Sequence, residues 1–387
     1  LAHRLKAALR EGDTLSRIGG DEFVAVLVDL EQPQDCEPVL SRMLHAAADP
    51  VQVDEHLLQV SASIGVTIYP TDGVEPDLLI RHADQAMYQA KQAGKNRFHL
   101  FDVEHDKAVK TQREEVARIR QGLQDGEFVL YYQPKVNMRT GAVIGAEALI
   151  RWQHPERGLL APSAFLPAIE NHPICIDVGE WVIASALRQM ADWKAQGLDL
   201  PVSVNIDAMQ LQKEGFSQRL SQLLDQQPQV PPRWLCLEIL ETNALDDIAL
   251  VSDIMRRCQA LGVRFALDDF GTGYSSLTYL KRLGAEEIKI DQSFVRDMLV
   301  DPDDLAIVQG VIGLAQAFHR DVIAEGVETA EHGARLLPLG CHLAQGYGIA
   351  RPMPAQQMPH WAQGWQPDAS WQHAHHSTAD ALAQSPT

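Results

Sequence analysis

From Phe128 to about Met353 one pattern repeats: a short β-rich apolar run, then a helical run, then the next apolar run. Eight strand candidates follow one another: FVLYYQPKV, AVIGAEALIRW, PVSVNI, LCLEIL, RFALDDF, EEIKID, DVIAEGVE and HLAQGYG. Helical stretches such as WVIASALRQMADWKAQG and DIALVSDIMRRCQALG separate most of them. A strand that leaves a sheet and returns parallel to it needs a long crossover, usually a helix. Eight such strands predict an α/β architecture, a closed, TIM-like (β/α) barrel.

A barrel gathers the carboxyl ends of all its strands on one face, so residues distant in sequence become one site. Here those ends are polar. They carry Glu147, Asn205, Glu238 and Glu241, Asp268 and Asp269, Lys289 and Asp291, Glu325 and Glu328, and Gln345. Each alone has an ordinary explanation: Asp268-Asp269 also suits a strand-to-loop turn, Lys289 and Asp291 an exposed pair, Gln345 a turn residue. Their order and placement, acid after acid behind an apolar run, favour a common rim. Carboxylates gathered there repel one another unless cations compensate them. Oxygen ligands suit Mg²⁺ or Mn²⁺ rather than zinc. Two such ions activate a water and clamp the oxygens of a phosphodiester, and a nearby lysine orients the water and stabilises developing charge. In DDFGTGYSSL, Gly271 and Gly273 give backbone freedom directly after the acid pair, and Ser275 and Ser276 offer local hydrogen bonds. That loop is a candidate for coupling the site to an assembly interface or an input domain.

The formal net charge of −19 argues against a nucleic-acid polymer or an anionic membrane surface as partner. Cys36, Cys175, Cys236, Cys258 and Cys341 are scattered without C-x-x-C pairing, which fits reduced thiols. No apolar run reaches the length of a membrane span, and the expected location is cytoplasmic. The chain opens on Leu1, so it reads as a piece of a longer protein whose upstream part leaves a sensor or membrane anchor open. Residues 1–102 alternate short strands with helices. VEHDKAVKTQREEVARIRQGLQDG carries a thin stripe of Val109, Val116, Ile119 and Leu123 and reads as a linker helix over 103–126. The barrel domain is expected over 127–362. From 363 the chain is rich in Ala, Gln, His and Ser and is expected to be a disordered tail, with His373, His375 and His376 as adventitious metal binders at most.

Residues 128–353 resemble an EAL domain, the phosphodiesterase that hydrolyses cyclic di-GMP to linear pGpG. The matching strings are YYQPKV, EALIRWQHPERG, SVNI, LEILET, ALDDFGTGYSSL, IKIDQSFV, IAEGVET and AQGYGIARP. The resemblance implies a site with two ions, Mg²⁺ or Mn²⁺. It makes Glu147, Asn205, Glu238 and Asp268 metal ligands, with Asp269 reaching the second ion. It sets Glu325 as the anchor of the site and Lys289 beside the attacking water. Glu328 and Gln345 support substrate or catalytic geometry, Glu241 braces the DDFGTGYSS loop, and Gln133 and Arg151 meet the dinucleotide. It also implies a homodimer through this domain. Two features depart from the pattern. Asp207 stands where Ser is commoner and is expected to add negative charge near the site, altering metal affinity. NHPICID replaces a Gly-containing turn and is expected to touch only local packing.

Residues 1–101 resemble the carboxyl-terminal part of a GGDEF diguanylate cyclase domain, through RIGGDEFVAVL, SASIGVTIY and ADQAMYQAKQAGKNR. Asp21 and Glu22 suit Mg²⁺, and Arg10 and Asp13 stand at the spacing of the family's product-inhibition site. No D-x-L-T-G-L-x-N-R string precedes the hairpin. The remnant is therefore expected to lack cyclase activity, to show an exposed sheet edge and an incomplete core, and to bind GTP or cyclic di-GMP as a regulator. The alternatives to hydrolysis are a cyclic di-GMP receptor that does not cut, or a longer parent that is both cyclase and phosphodiesterase.

Overall fold

The computed structural model describes residues 1–241, 247–272, 280 and 282–373, without the side chains of 53, 103–106, 108, 372 and 373. Gly273, Ser275, Ser276, His375 and His376 lie outside the described residues, as does the side chain of His373. The chain divides into two compact units, Leu1–Glu114 and Glu115–Thr387. Their boundary falls inside a helix, Val103–Gln124, rather than at either end of it.

Eight strands close the barrel of the second unit: β1 (Phe128–Asn137), β2 (Ala142–His154), β3 (Val202–Asn205), β4 (Leu235–Leu240), β5 (Arg264–Phe270), β6 (Glu287–Ile290), β7 (Asp321–Ala324) and β8 (Leu343–Ala344). All eight coincide with the runs read from the sequence. From β2 to β8 each strand is parallel to the next. β1 closes the ring and is antiparallel to both β2 and β8. The cause is local. Only residues 138–141 separate β1 from β2, too short for a crossover, and Gly141 turns the chain at φ 73°. A hairpin replaces the first βα unit.

Strands buried on both faces read as continuous apolar runs. β4 follows this rule: Leu235 to Ile239 are all buried. The outer layer follows helical spacing. Helix Ile174–Ala195 turns Val178, Val182, Ala186, Met190 and Trp193 inward, and Phe216–Asp225 turns in Phe216, Leu220, Leu223 and Leu224. Each such large apolar side chain contributes about 1.5–3 kcal/mol when fully buried. Val116 and Ile119 of the helix Val103–Gln124 join the same core.

Of the expected tail, residues 363–373 are described and differ from the expectation, while 374–387 lie outside the described residues. Residues 363–373 are folded: a helix runs to Gly364, another spans Ala369–His373, and Trp371 is only 5% exposed. Its indole Nε1 donates to the Ala330 carbonyl at 2.8 Å, and its ring lies where a Cβ on Gly333 would be. Composition hides this, yet one tryptophan with a matching glycine docks the short helix Ala369–His373.

In the first unit, Thr14–Gly19 and Glu22–Val26 form an antiparallel hairpin. Two further two-stranded sheets pair Val51–Val53 with His56–Leu58 and Ile64–Val66 with Phe98–Leu100. Among the described residues no sheet of this unit exceeds two strands, and its core cluster is Leu5, Met43 and Ala47 with partly buried neighbours. Leu57, Tyr69, Val74 and Tyr88 are each more than 60% exposed. Open edges and a small core accord with the expectation for this region. Among the described residues, no helix is long and apolar enough to cross a membrane.

Candidate active site

Strand register builds the site. Gln133 on β1 lies opposite Glu147 on β2, Glu147 opposite Ser203 on β3, and Asn205 opposite Glu238 on β4. Asp268 is the last residue of β5 paired with β4, and the register with β6 shifts between Leu267 and Phe270. Asp269 takes a left-handed φ of 53°, which Asp tolerates better than most residues but at a cost. An irregularity of this kind re-aims side chains at a barrel rim. Lys289 comes from β6, Glu325 follows β7, and Gln345 follows β8.

The side chains converge. Asn205 Nδ2 donates to Glu147 Oε1 at 2.7 Å, and Gln345 Nε2 donates to Glu147 Oε2 at 2.6 Å and to Gln133 Oε1 at 3.0 Å. The Lys289 ammonium, 1% exposed, meets Glu238 at 2.7 Å, Asp268 at 2.9 Å and Glu325 at 2.6 Å. Those contacts account for its three protons, and Glu147 stands further off at 3.6 Å. Glu241 Oε2 accepts the Gly271 N–H at 2.9 Å. The backbone locks the rest: Gln345 N–H reaches Ala324 O at 2.9 Å and Val327 N–H reaches Gln345 O at 3.1 Å. A Cβ on Gly346 would sit 2.3 Å from Val327 backbone, so only glycine allows the two loops to touch.

Two carboxylate triads result, Glu147–Glu238–Asp268 and Asp268–Asp269–Glu325, each offering oxygens within 4.8 Å of one another and sharing Asp268. Five carboxylates crowd around the Lys289 ammonium, and Lys135 adds a second ammonium on Glu238. Burial, then the neighbouring acids Asp268 and Glu147, push the Glu325 carboxyl up to about 8 despite Lys289. Burial and Asp268 push Asp269 up to about 7, and burial also raises Glu147. Glu238 goes the other way: burial would raise it, but Lys135 and Lys289 together hold it at about 2. Burial disfavours the Lys289 ammonium, yet Glu147, Glu238, Glu325 and Asp268 outweigh it and hold the group well above its ordinary value. These acids hold Lys289 in its charged form. The residues fit a pair of divalent cations: oxygen donors in two triads with a shared carboxylate, acids crowded closely enough to raise one another's pKa, and a buried Gln345 Oε1 with no hydrogen-bond partner among the described residues.

Other expected site residues fall at the margin. Arg151 is half-buried, its Nη1 donates to the Ile150 carbonyl at 2.9 Å, and its guanidinium lies over Tyr131. Glu328 is exposed. Asp207, two residues past Asn205, is engaged locally. It caps the helix Ala208–Leu211 through the Met209 N–H at 2.8 Å and accepts a weak Cys175 Sγ–H contact at 3.5 Å. The two departures from the family pattern thus meet each other through the Cys175–Asp207 contact. In the first unit, Asp13 is 3% exposed and its carboxylate already accepts the Arg10 and Val28 N–H groups at 3.1 and 3.3 Å. The Arg10 guanidinium bonds the carbonyls of Val28 and Asp29. This pair closes its own turn. Asp21 and Glu22 are exposed near the hairpin tip and belong to no metal-ligating group among the described residues.

Sequence reasoning missed Lys135 and Glu287, both buried. A signal was present: a lysine and an acid inside apolar strands on the faces that carry Gln133 and Lys289, two residues away in each strand.

Comparison with known proteins gives the same picture. Residues 116–352 match the EAL domain and residues 1–97 match the family described as diguanylate cyclase, GGDEF domain. The chain is 39% identical over 359 residues, 92% of its length, to the bifunctional diguanylate cyclase/cyclic di-GMP phosphodiesterase MucR of Pseudomonas aeruginosa. It is 36% identical over 355 residues to the cyclic di-GMP phosphodiesterase PdeR of Escherichia coli, again over 92% of its length. These matches cover 52% and 53% of the relatives, so the chain spans about half their length. Among solved structures, a PaMucR phosphodiesterase complex with c-di-GMP covers 63% of this chain and 99% of its own at 41% identity and TM-score 0.61. The FimX EAL domain from Pseudomonas aeruginosa bound to c-di-GMP covers 62% and 96% at 26% identity and TM-score 0.57. Matched over more than half its residues by one family and at its amino-terminal part by the other, the chain belongs to the EAL family, its barrel preceded by a GGDEF domain.

Proposed function

We propose that the barrel hydrolyses cyclic di-GMP to linear pGpG with the help of two divalent cations, Mg²⁺ or Mn²⁺. The observation that carries this reading is the pair of carboxylate triads sharing Asp268, with Lys289 bonded to both of them. Glu147, Asn205, Glu238 and Asp268 would hold one ion, and Asp268, Asp269 and Glu325 the other. When bound, the ions supply the activated water and the clamp on the attacking and leaving oxygens. The chain's own part is positioning. Lys289 keeps a fixed positive charge beside the reacting phosphate, Gln345 and Asn205 hold Glu147 in one rotamer, and Glu241 ties the DDFGTGYSS loop to the rim. Gln133 and Arg151 are proposed to meet the dinucleotide. Named relatives that act on or bind cyclic di-GMP support the substrate class.

A receptor that binds without cutting is the second reading. The completeness of the acid and lysine set weighs against it. The GGDEF hairpin is proposed as regulatory, through GTP or cyclic di-GMP. The internal bonding of Asp13 leaves its part in a product-inhibition site the weakest element of that reading.

The test is Glu147→Ala. It removes the acceptor shared by Asn205 and Gln345 together with one ligand, and we expect no measurable linear product in the presence of Mg²⁺ or Mn²⁺. Chromatography of reaction products reads the result, and unchanged turnover would refute the site assignment.

A further inference from the structure

Below the rim, charged groups alternate through the closed interior of the barrel. Arg264 Nη2 meets Glu287 Oε2 at 3.3 Å, and Glu287 Oε1 meets Lys135 Nζ at 3.2 Å. Lys135 also donates to Ser203 Oγ at 2.6 Å and to Glu238 Oε1 at 2.7 Å. The other oxygen of Glu238 faces Lys289 at 2.7 Å. Lys135, Glu238 and Glu287 are each at most 4% exposed. A buried lysine with three partners is over-determined for a role in stability alone, since a well-packed apolar residue usually serves as well.

We infer that Lys135 is a positioning residue for the metal site: by holding Glu238 Oε1 from below, it leaves Oε2 as the one oxygen that Glu238 presents to the rim. The inference rests on the proposed function and concerns this chain's own ligand geometry. A carboxylate with one oxygen fixed by an ammonium binds a cation through the other, in one rotamer. Groups that orient a ligand in this way typically change metal affinity 10–100-fold when removed. Glu287, anchored on its far side by Arg264, keeps the lysine in place in turn.

The experiment measures Mn²⁺ binding to the full chain by titration calorimetry, with thermal unfolding of the same samples. Lys135→Met is expected to weaken Mn²⁺ binding by ~10-fold or more and to lower kcat more than it raises KM. Lys135→Met with Glu287→Gln removes the stranded charge. It should recover thermal stability without recovering Mn²⁺ affinity. Ser203→Ala loosens the lysine without uncovering a charge and should weaken affinity in the same direction by a smaller factor. Wild-type affinity in a folded Lys135→Met protein overturns the inference. So does full recovery of affinity in the double variant, because the loss then came from an unpaired Glu287. If neither lysine variant folds, unchanged affinity in Ser203→Ala overturns it. Absence of Mn²⁺ binding to the unaltered protein would instead overturn the proposed function, and this inference with it.

Discussion

Replacing Lys289 with methionine is expected to lower turnover of cyclic di-GMP by at least ~10²–10³-fold, the scale on which a preorganised charge donor contributes to a transition state. The same change should destabilise the metal-free protein by about 3–5 kcal/mol, because it strands buried carboxylates that were paired. Glu238, Asp268 and Glu325 lie within 2.9 Å of the ammonium, and no other cation touches the last two among the described residues. The two effects separate when divalent metal is added. Mn²⁺ should raise the unfolding temperature of Lys289→Met more than that of the unaltered chain, since the ions then supply the missing positive charge, while turnover stays low. Recovery of turnover along with stability would show that the lysine only balances charge. Calorimetric unfolding and product assay on one preparation decide the matter.

Asp268→Asn is the second large effect. The side chain belongs to both triads, and its Oδ1 accepts the Asp269 N–H at 3.0 Å. Asparagine keeps the shape and that acceptor, so the barrel should fold with an unfolding temperature close to the original. What it loses is the bridging negative charge. Metal stoichiometry should fall from two ions per chain to at most one, with turnover down by ~10³-fold or more, as expected when a two-ion clamp is broken. Metal analysis after gel filtration gives the stoichiometry. Two ions retained at unchanged affinity would contradict the shared-ligand geometry.

The barrel and its rim were legible in the sequence because strand period and strand-end chemistry reinforce each other. Glu147, Asn205, Glu238, Asp268, Lys289, Glu325 and Gln345 all follow apolar β-runs, and the fold brings those ends together. The antiparallel first strand was less visible, since apolar runs do not carry strand direction; only the short connection at 138–141 does. Lys135 and Glu287 were hidden because a charge inside an apolar run reads as surface until its partners, remote in sequence, are known. Asp13 and Asp207 show the converse. Asp13 was singled out by spacing and Asp207 by its charge, and both accept backbone N–H groups of their own turns, a use that neither signal distinguishes. Trp371 overrode a composition that reads as disorder.

The most direct test of the central claim is a product assay on the purified chain, with cyclic di-GMP and GTP supplied in parallel, with Mg²⁺ or Mn²⁺ and after chelation. The account predicts linear pGpG from cyclic di-GMP only when the divalent ion is present, and no cyclic di-GMP from GTP. Tight binding of cyclic di-GMP with no linear product under any metal condition would contradict it.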